Sequence, residues 1–125
     1  MLKQKRPVFL NLMQIRFPIT AIMSIAHRLT GVLLFLALPF LIYVLDRSLQ
    51  DKAGFTQILK CLDSIVVKII LVLLAWSLLH HLLAGIRYLL LDIDIGIEKK
   101  QARSTAWLVI VLALILPVVI AWVSL

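Results

Sequence analysis

Apolar side chains fall along this chain in three long runs separated by short polar segments, and each run is long enough to read as a membrane-spanning helix. The first begins at Pro18, whose fixed φ and missing N–H suit the first turn of a helix, and continues to Leu45 with Pro39 as its only other helix-breaking residue. At 1.5 Å per residue, 18–45 reaches roughly 42 Å against a hydrocarbon core of about 30 Å, so its first turns are expected at an interface. The purely apolar part is Leu33 to Leu45, and a kink at Pro39 is tolerable where neighbouring helices or waters satisfy the freed carbonyl. The second run extends from about Ile65 to Leu91 and carries Lys68 near its start. The third extends from about Ala106 to Leu125, with Trp107 and Trp122 near its two ends, where indole rings favour the headgroup level. There is no internal repeat, low-complexity tract or soluble domain. The expectation is an all-α integral membrane protein, one membrane domain over residues 1–125 whose three transmembrane helices pack in a bundle.

Composition sharpens this picture. The chain is 63% hydrophobic and 15% charged, with a mean hydropathy of +1.10. So few charged side chains cannot form the polar shell that a soluble domain of this length needs, which excludes a water-soluble protein. Net charge is +7, but the basic residues form no stripe interleaved with aromatics, so nucleic acid is not the expected partner; the bilayer is. Lys3, Lys5, Arg6 and Arg16 precede the first run without an acid, and Lys99, Lys100 and Arg103 stand between the second and third. Asp46 to Ser64, between the first two, holds three basic and three acidic residues and gives no strong positive signal. By the positive-inside rule the N-terminal segment 1–17 is expected in the cytoplasm and the C-terminus in the periplasm. Arg16 and Pro18 interrupt the early apolar run and no small-residue cleavage pattern follows, so the first span is expected to act as its own insertion signal, which suits a bacterial inner membrane. Cys61 is the single cysteine. It rules out an internal disulfide, a CxxCH haem attachment and an iron–sulfur cluster held by this chain alone, and reads as a small apolar residue near the outer surface.

An ionisable residue at membrane depth costs a few kcal/mol on insertion scales and marks a functional-site candidate. Two clusters qualify. Ser24, His27 and Arg28, in SIAHRLTG, share one helix face at i, i+3 and i+4, and Gly31 four residues beyond His27 permits close approach of another group. One reading is that Arg28 snorkels to lipid phosphate while Ser24 bonds back to its own helix. The other is a site for an anionic or carbonyl-bearing ligand such as a haem propionate or a quinone oxygen. The second cluster is His80, His81, Ala84, Gly85, Arg87 and Tyr88, in HHLLAGIRYLLLD. Ala84 and Gly85 keep the helix surface low below His81, which suits either a flat macrocycle or a closely packed neighbouring helix. Adjacent helical residues point about 100° apart, so at most one of the two neighbouring histidines is an axial ligand. Because His27 is expected nearer the cytoplasmic surface than His81, a second axial ligand is expected from another subunit.

Together these stretches resemble the large cytochrome b polypeptide of the succinate dehydrogenase membrane anchor. Arg6 and Pro7 near the N-terminus, IRFPITAIMSIAHRLTG across Ile15 to Gly31 and HLLAGIRYLLLD across His81 to Asp92 carry the resemblance. The family's matching pieces are S-x-x-H-R-x-(S/T)-G at the start of span one and H-x-x-x-G-(I/L)-R-H-x-x-x-D at the end of span two. The resemblance implies a four-subunit respiratory and citric-acid-cycle enzyme: a flavoprotein that oxidises succinate, an iron–sulfur subunit, and two small membrane subunits that hold haem b and form much of the site for ubiquinone or another quinone. It further implies that His81 is an axial ligand of the haem iron, the opposite ligand lying on the partner anchor. His27 and Arg28 are implied to neighbour the haem propionates, and Ser24 with Arg28 to contribute to the quinone pocket. His80 lies outside the motif and reads as a packing residue. Tyr88 stands where the family often has histidine, so any proton-delivery or propionate-contact role of that position does not carry over. Two other readings remain, the anchor of a quinol:fumarate reductase running the same parts in reverse, and a cofactor-free three-span structural or transport subunit.

Overall fold

The computed structural model describes residues 15–124. Lys3, Lys5, Arg6 and Pro7, used above for orientation and resemblance, lie outside the described residues. Four helices follow in order, α1 (Ile19–Gln50), α2 (Lys52–Leu62), α3 (Ile65–Asp92) and α4 (Lys99–Ser124), with no strand among the described residues. Three of them, α1, α3 and α4, are long and apolar enough to cross a membrane.

Pro18 stands one residue before α1, in extended conformation (φ −64°, ψ 151°), and its carbonyl accepts from the Ala21 and Ile22 amides at 2.9 and 3.2 Å. It caps the helix and does not form its first turn. At the other end α1 passes the expected stop at Leu45 and runs to Gln50. Side chains one turn apart support this polar extension: Gln50 Nε2 donates to Asp46 Oδ2 at 2.8 Å and Arg47 Nη1 to Gln50 Oε1 at 2.7 Å. Pro39 and Pro117 lie within continuous α1 and α4, each withholding one N–H from its ladder.

The segment 46–64, read from the sequence only as a connection, holds a fourth helix. Asp51 alone joins α1 to α2. Its extended backbone breaks the first helix, and its carboxylate accepts from the Gly54 amide to cap the second. A side chain on Gly54 would lie 2.5 Å from the Arg47 carbonyl oxygen, so glycine lets α2 fold back against the end of α1. Asp63 and Ser64 then lead into α3, whose first turns carry the Lys68–Asp63 ion pair at 3.8 Å. After α3 the chain reverses through 93–98, with Asp94 (φ 62°) and Gly96 (φ 79°) left-handed, and the Ile95 amide bonds the Leu90 carbonyl at 2.9 Å. Helix α4 begins at Lys99, about two turns before the expected Ala106, because the polar residues 99–105 continue the helix below its apolar part.

Central helix α3 packs against both α1 and α4. The buried apolar residues are Met23 from α1, Ala84 from α3, and Ala106, Val109 and Ala113 from α4, and Thr30, Ser77, His80 and Arg87 are buried with them. Small residues there let the helix axes approach closely, as in other membrane bundles. The largest apolar groups point the opposite way, Phe35, Phe40 and Trp122 being 72%, 73% and 79% exposed. This inside-out distribution fits hydrocarbon as the surrounding solvent.

Candidate functional site

Antiparallel packing of α1 on α3, with α4 alongside, gathers the polar side chains where α1 begins, α3 ends and α4 begins. His27, eight residues after Ile19, meets His81, eleven before Asp92. The two rings stack with centroids 4.2 Å apart and planes 7° from parallel. This corrects the expectation that His27 lies at a different depth from His81. Opposed helix directions bring them level, a registration that the position of each residue along its own span does not disclose.

The contact is built reciprocally. His81 rests on Gly31, where a Cβ would come within 2.9 Å of its Cε1, and His27 rests against Gly85, where a Cβ would lie 3.6 Å from its Nε2. Each helix therefore presents a histidine and, four residues on, the glycine that receives the other histidine. The signal was present in the sequence as His-x-x-x-Gly in both spans, 27–31 and 81–85. Tyr88 flanks His27 on its other side, ring centroids 5.2 Å apart and tilted by 59°. The low surface at Ala84 and Gly85 is filled by α1, so the flat seat considered for a macrocycle there is occupied by a packed helix.

A hydrogen bond defines the state of His81. Its Nδ1 lies 3.0 Å from the His27 backbone carbonyl, an acceptor only, so Nδ1 is the donor, and in the neutral ring the lone pair then belongs to Nε2. Thr30 Oγ1 is 3.5 Å from the same nitrogen and donates to its own helix at the Ala26 and His27 carbonyls, both 2.9 Å. His81 is half-buried. His80 differs sharply. It is 2% exposed, stacks on Trp76 with centroids 5.7 Å apart, and its Nε2 has no partner among the described residues.

Ser24 is half-buried and Arg28 exposed, and neither has a hydrogen-bond or ion-pair partner among the described residues. The structure thus joins His27 to His81 and leaves Ser24 and Arg28 with their donors open at the same end of the bundle. Arg87, singled out only as part of a cluster, has a defined place. It is 6% exposed, its Nε donates to Thr105 Oγ1 at 3.0 Å and its Nη2 to the Ala102 carbonyl at 2.8 Å, tying α3 to α4. Among the described residues no three His, Cys, Asp or Glu side chains converge on a point that would hold a bare metal ion.

Three apolar membrane-spanning helices with imidazole, hydroxyl and guanidinium groups gathered at one end define a multi-pass membrane protein with an embedded polar site. The chain belongs to the family of succinate dehydrogenase/fumarate reductase transmembrane subunits, whose family model matches residues 3–120. It is 35% identical over 112 residues to the succinate dehydrogenase cytochrome b556 subunit of Coxiella burnetii, covering 89% of this chain and 90% of that one. The subunits of the same name from Rickettsia felis and Paracoccus denitrificans are 35% and 32% identical over 119 and 117 residues. These matches cover 95% and 90% of this chain, and 92% and 87% of the relatives.

Proposed function

We propose that this chain is the haem-b-binding cytochrome subunit that anchors a succinate dehydrogenase to a bacterial inner membrane and contributes to its quinone-reduction site. The observation that carries this reading is His81, a half-buried imidazole whose Nδ1–H is held by the His27 carbonyl, so that the neutral ring presents its lone pair at Nε2. An axial imidazole needs that tautomer, with its other nitrogen hydrogen-bonded to fix ring orientation and raise basicity. His80 is enclosed by the bundle, which favours His81 over its neighbour. His27 lies face to face with His81, a geometry that leaves no room for a porphyrin between them. The opposite ligand then comes from a second small anchor subunit. His27 and Arg28 neighbour the propionates, the guanidinium offering a carboxylate its fork of donors. Haem b, when bound, supplies a one-electron reservoir set by its axial ligands and nearby charge.

Ser24 and Arg28 orient the quinone. Their open donors suit the two charge states of a quinone oxygen as it is reduced, and the guanidinium stabilises the developing negative charge. Electrons reach this end of the bundle from a docked iron–sulfur subunit, which receives them from a flavoprotein subunit. The N-terminus is then cytoplasmic and the C-terminus periplasmic, as the basic segments favour. The relatives' names support succinate as the electron donor. A fumarate reductase anchor runs the same parts in reverse.

The test is a dithionite-reduced minus oxidised spectrum of membranes co-expressing this chain with its partner subunits, for wild type, His81→Ala and His80→Ala. A b-type α-band lost in His81→Ala and kept in His80→Ala is expected; no band in wild type overturns the cytochrome reading. In the same membranes Arg28→Ala is expected to lower succinate:quinone activity by at least tenfold and to spare succinate oxidation by artificial acceptors, about the effect of removing one charged donor worth 1.4 kcal/mol or more.

A further inference from the structure

We propose that α2 is an interfacial helix that binds the phospholipid headgroup layer, with Phe55 and Leu59 among the acyl chains and Lys52 and Lys60 among the lipid phosphates. The proposal is independent of the haem and quinone assignments. It begins from the level at which α2 is held. One residue joins it to α1 and two join it to α3, so it stays beside the ends of two membrane spans. Those ends are polar: Gln50 bonds both Asp46 and Arg47 on α1, and Asp63 pairs with Lys68 at the start of α3. They mark where both spans leave the hydrocarbon.

The two sides of α2 then divide cleanly. Gly54, Ile58 and Leu62 recur at i, i+4 and i+8 on the packed side, Gly54 buried and the other two half-buried. On the adjoining strip the apolar surface continues outward through Phe55 and Leu59, 50% and 48% exposed. The opposite side carries Lys52, Thr56 and Lys60, again at i, i+4 and i+8, around a shallow concavity. An apolar strip flanked by lysines, fixed beside two span ends, is the arrangement with which amphipathic helices lie in a bilayer interface. Water leaves Phe55 and Leu59 solvated at a hydrophobic cost, and a purely apolar surface leaves the lysines without counter-charge. The headgroup boundary satisfies both, and lysines there favour anionic phospholipid.

The test uses the assembled complex in native membranes containing phosphatidylethanolamine and phosphatidylglycerol. The photoreactive p-benzoylphenylalanine is incorporated at position 55, and separately at 59, and the mass of this chain is measured after irradiation. Phospholipid adducts at both positions are expected, with phosphatidylglycerol enriched about fivefold over its share of the membrane, the factor that corresponds to about 1 kcal/mol. In a Lys52→Gln, Lys60→Gln chain the adducts persist and the enrichment disappears. Crosslinks to a protein subunit, or no adduct at either position, overturn the proposal, as does an adduct population matching the bulk lipid in the unsubstituted chain. Phe55 and Leu59 are exposed, so complex assembly serves as the control that both labelled chains fold.

Discussion

At the scale of single residues, Gly31 and Thr30 are neighbours with unequal expected sensitivities. Gly31→Ala places a methyl group 2.9 Å from His81 Cε1, closer than real contacts, and the ring is also held by its bond to the His27 carbonyl. The ring or the helix axis must shift, at a cost of about 1–3 kcal/mol. Thr30→Val keeps the side-chain volume and removes a hydroxyl that bonds carbonyls of its own helix, a loss of about 1 kcal/mol or less. Thermal melts of the two variants in detergent check this ordering, and equal destabilisation would count against the Gly31 seat. Sequence reasoning found His27, Arg28 and Ser24 as one face because helical spacing is local. It did not find that His27 stacks on His81, since that contact depends on the register of two antiparallel helices, which their packing sets. Arg87 was legible as an anomaly and not as a tie, because its acceptors, Thr105 and the Ala102 carbonyl, lie beyond a chain reversal on another helix.

At the scale of elements, the three spans were legible because a long apolar run needs only length and composition to be recognised. Helix α2 was not. Its eleven residues contain a glycine and two lysines, make no long run, and depend on Asp51 for a cap and on α1 for a surface. The same dependence makes Gly54 its most sensitive position. Glycine in a helix ordinarily gives up about 1 kcal/mol relative to alanine, so Gly54→Ala on an open helix would stabilise. Here the added methyl meets the Arg47 carbonyl, part of the backbone, and the expected result is destabilisation with loosening of α2. Hydrogen exchange of the α2 amides measures it: faster exchange in the variant is expected, and slower exchange would mean that the close approach to Arg47 is readily relieved.

At the scale of the whole molecule, polar and small groups face inward while large apolar groups face outward, so burial follows the bilayer and not water. The inward polar groups are few, Thr30, Ser77, His80 and Arg87, and lie between the middle of the bundle and the end where α1 begins, so the remainder of the bundle is free to be hydrocarbon-like. That division explains why overall composition identified the solvent so readily and the chemistry so little. The opposite end has a property of its own, arising from the single residue Asp51 and the pair Asp63 and Ser64 that join its helices. A protease must draw several residues of extended backbone into its cleft, and these connections have no slack to give. Trypsin's targets on that side, Arg47, Lys52, Lys60 and Lys68, all lie within helices. Sealed vesicles presenting that face to trypsin are therefore expected to keep the chain uncut between α1 and α3, and cleavage at Lys52 or Lys60 would show that the corner opens. A chain with no slack at this corner resists digestion there by its connectivity, whatever its global stability.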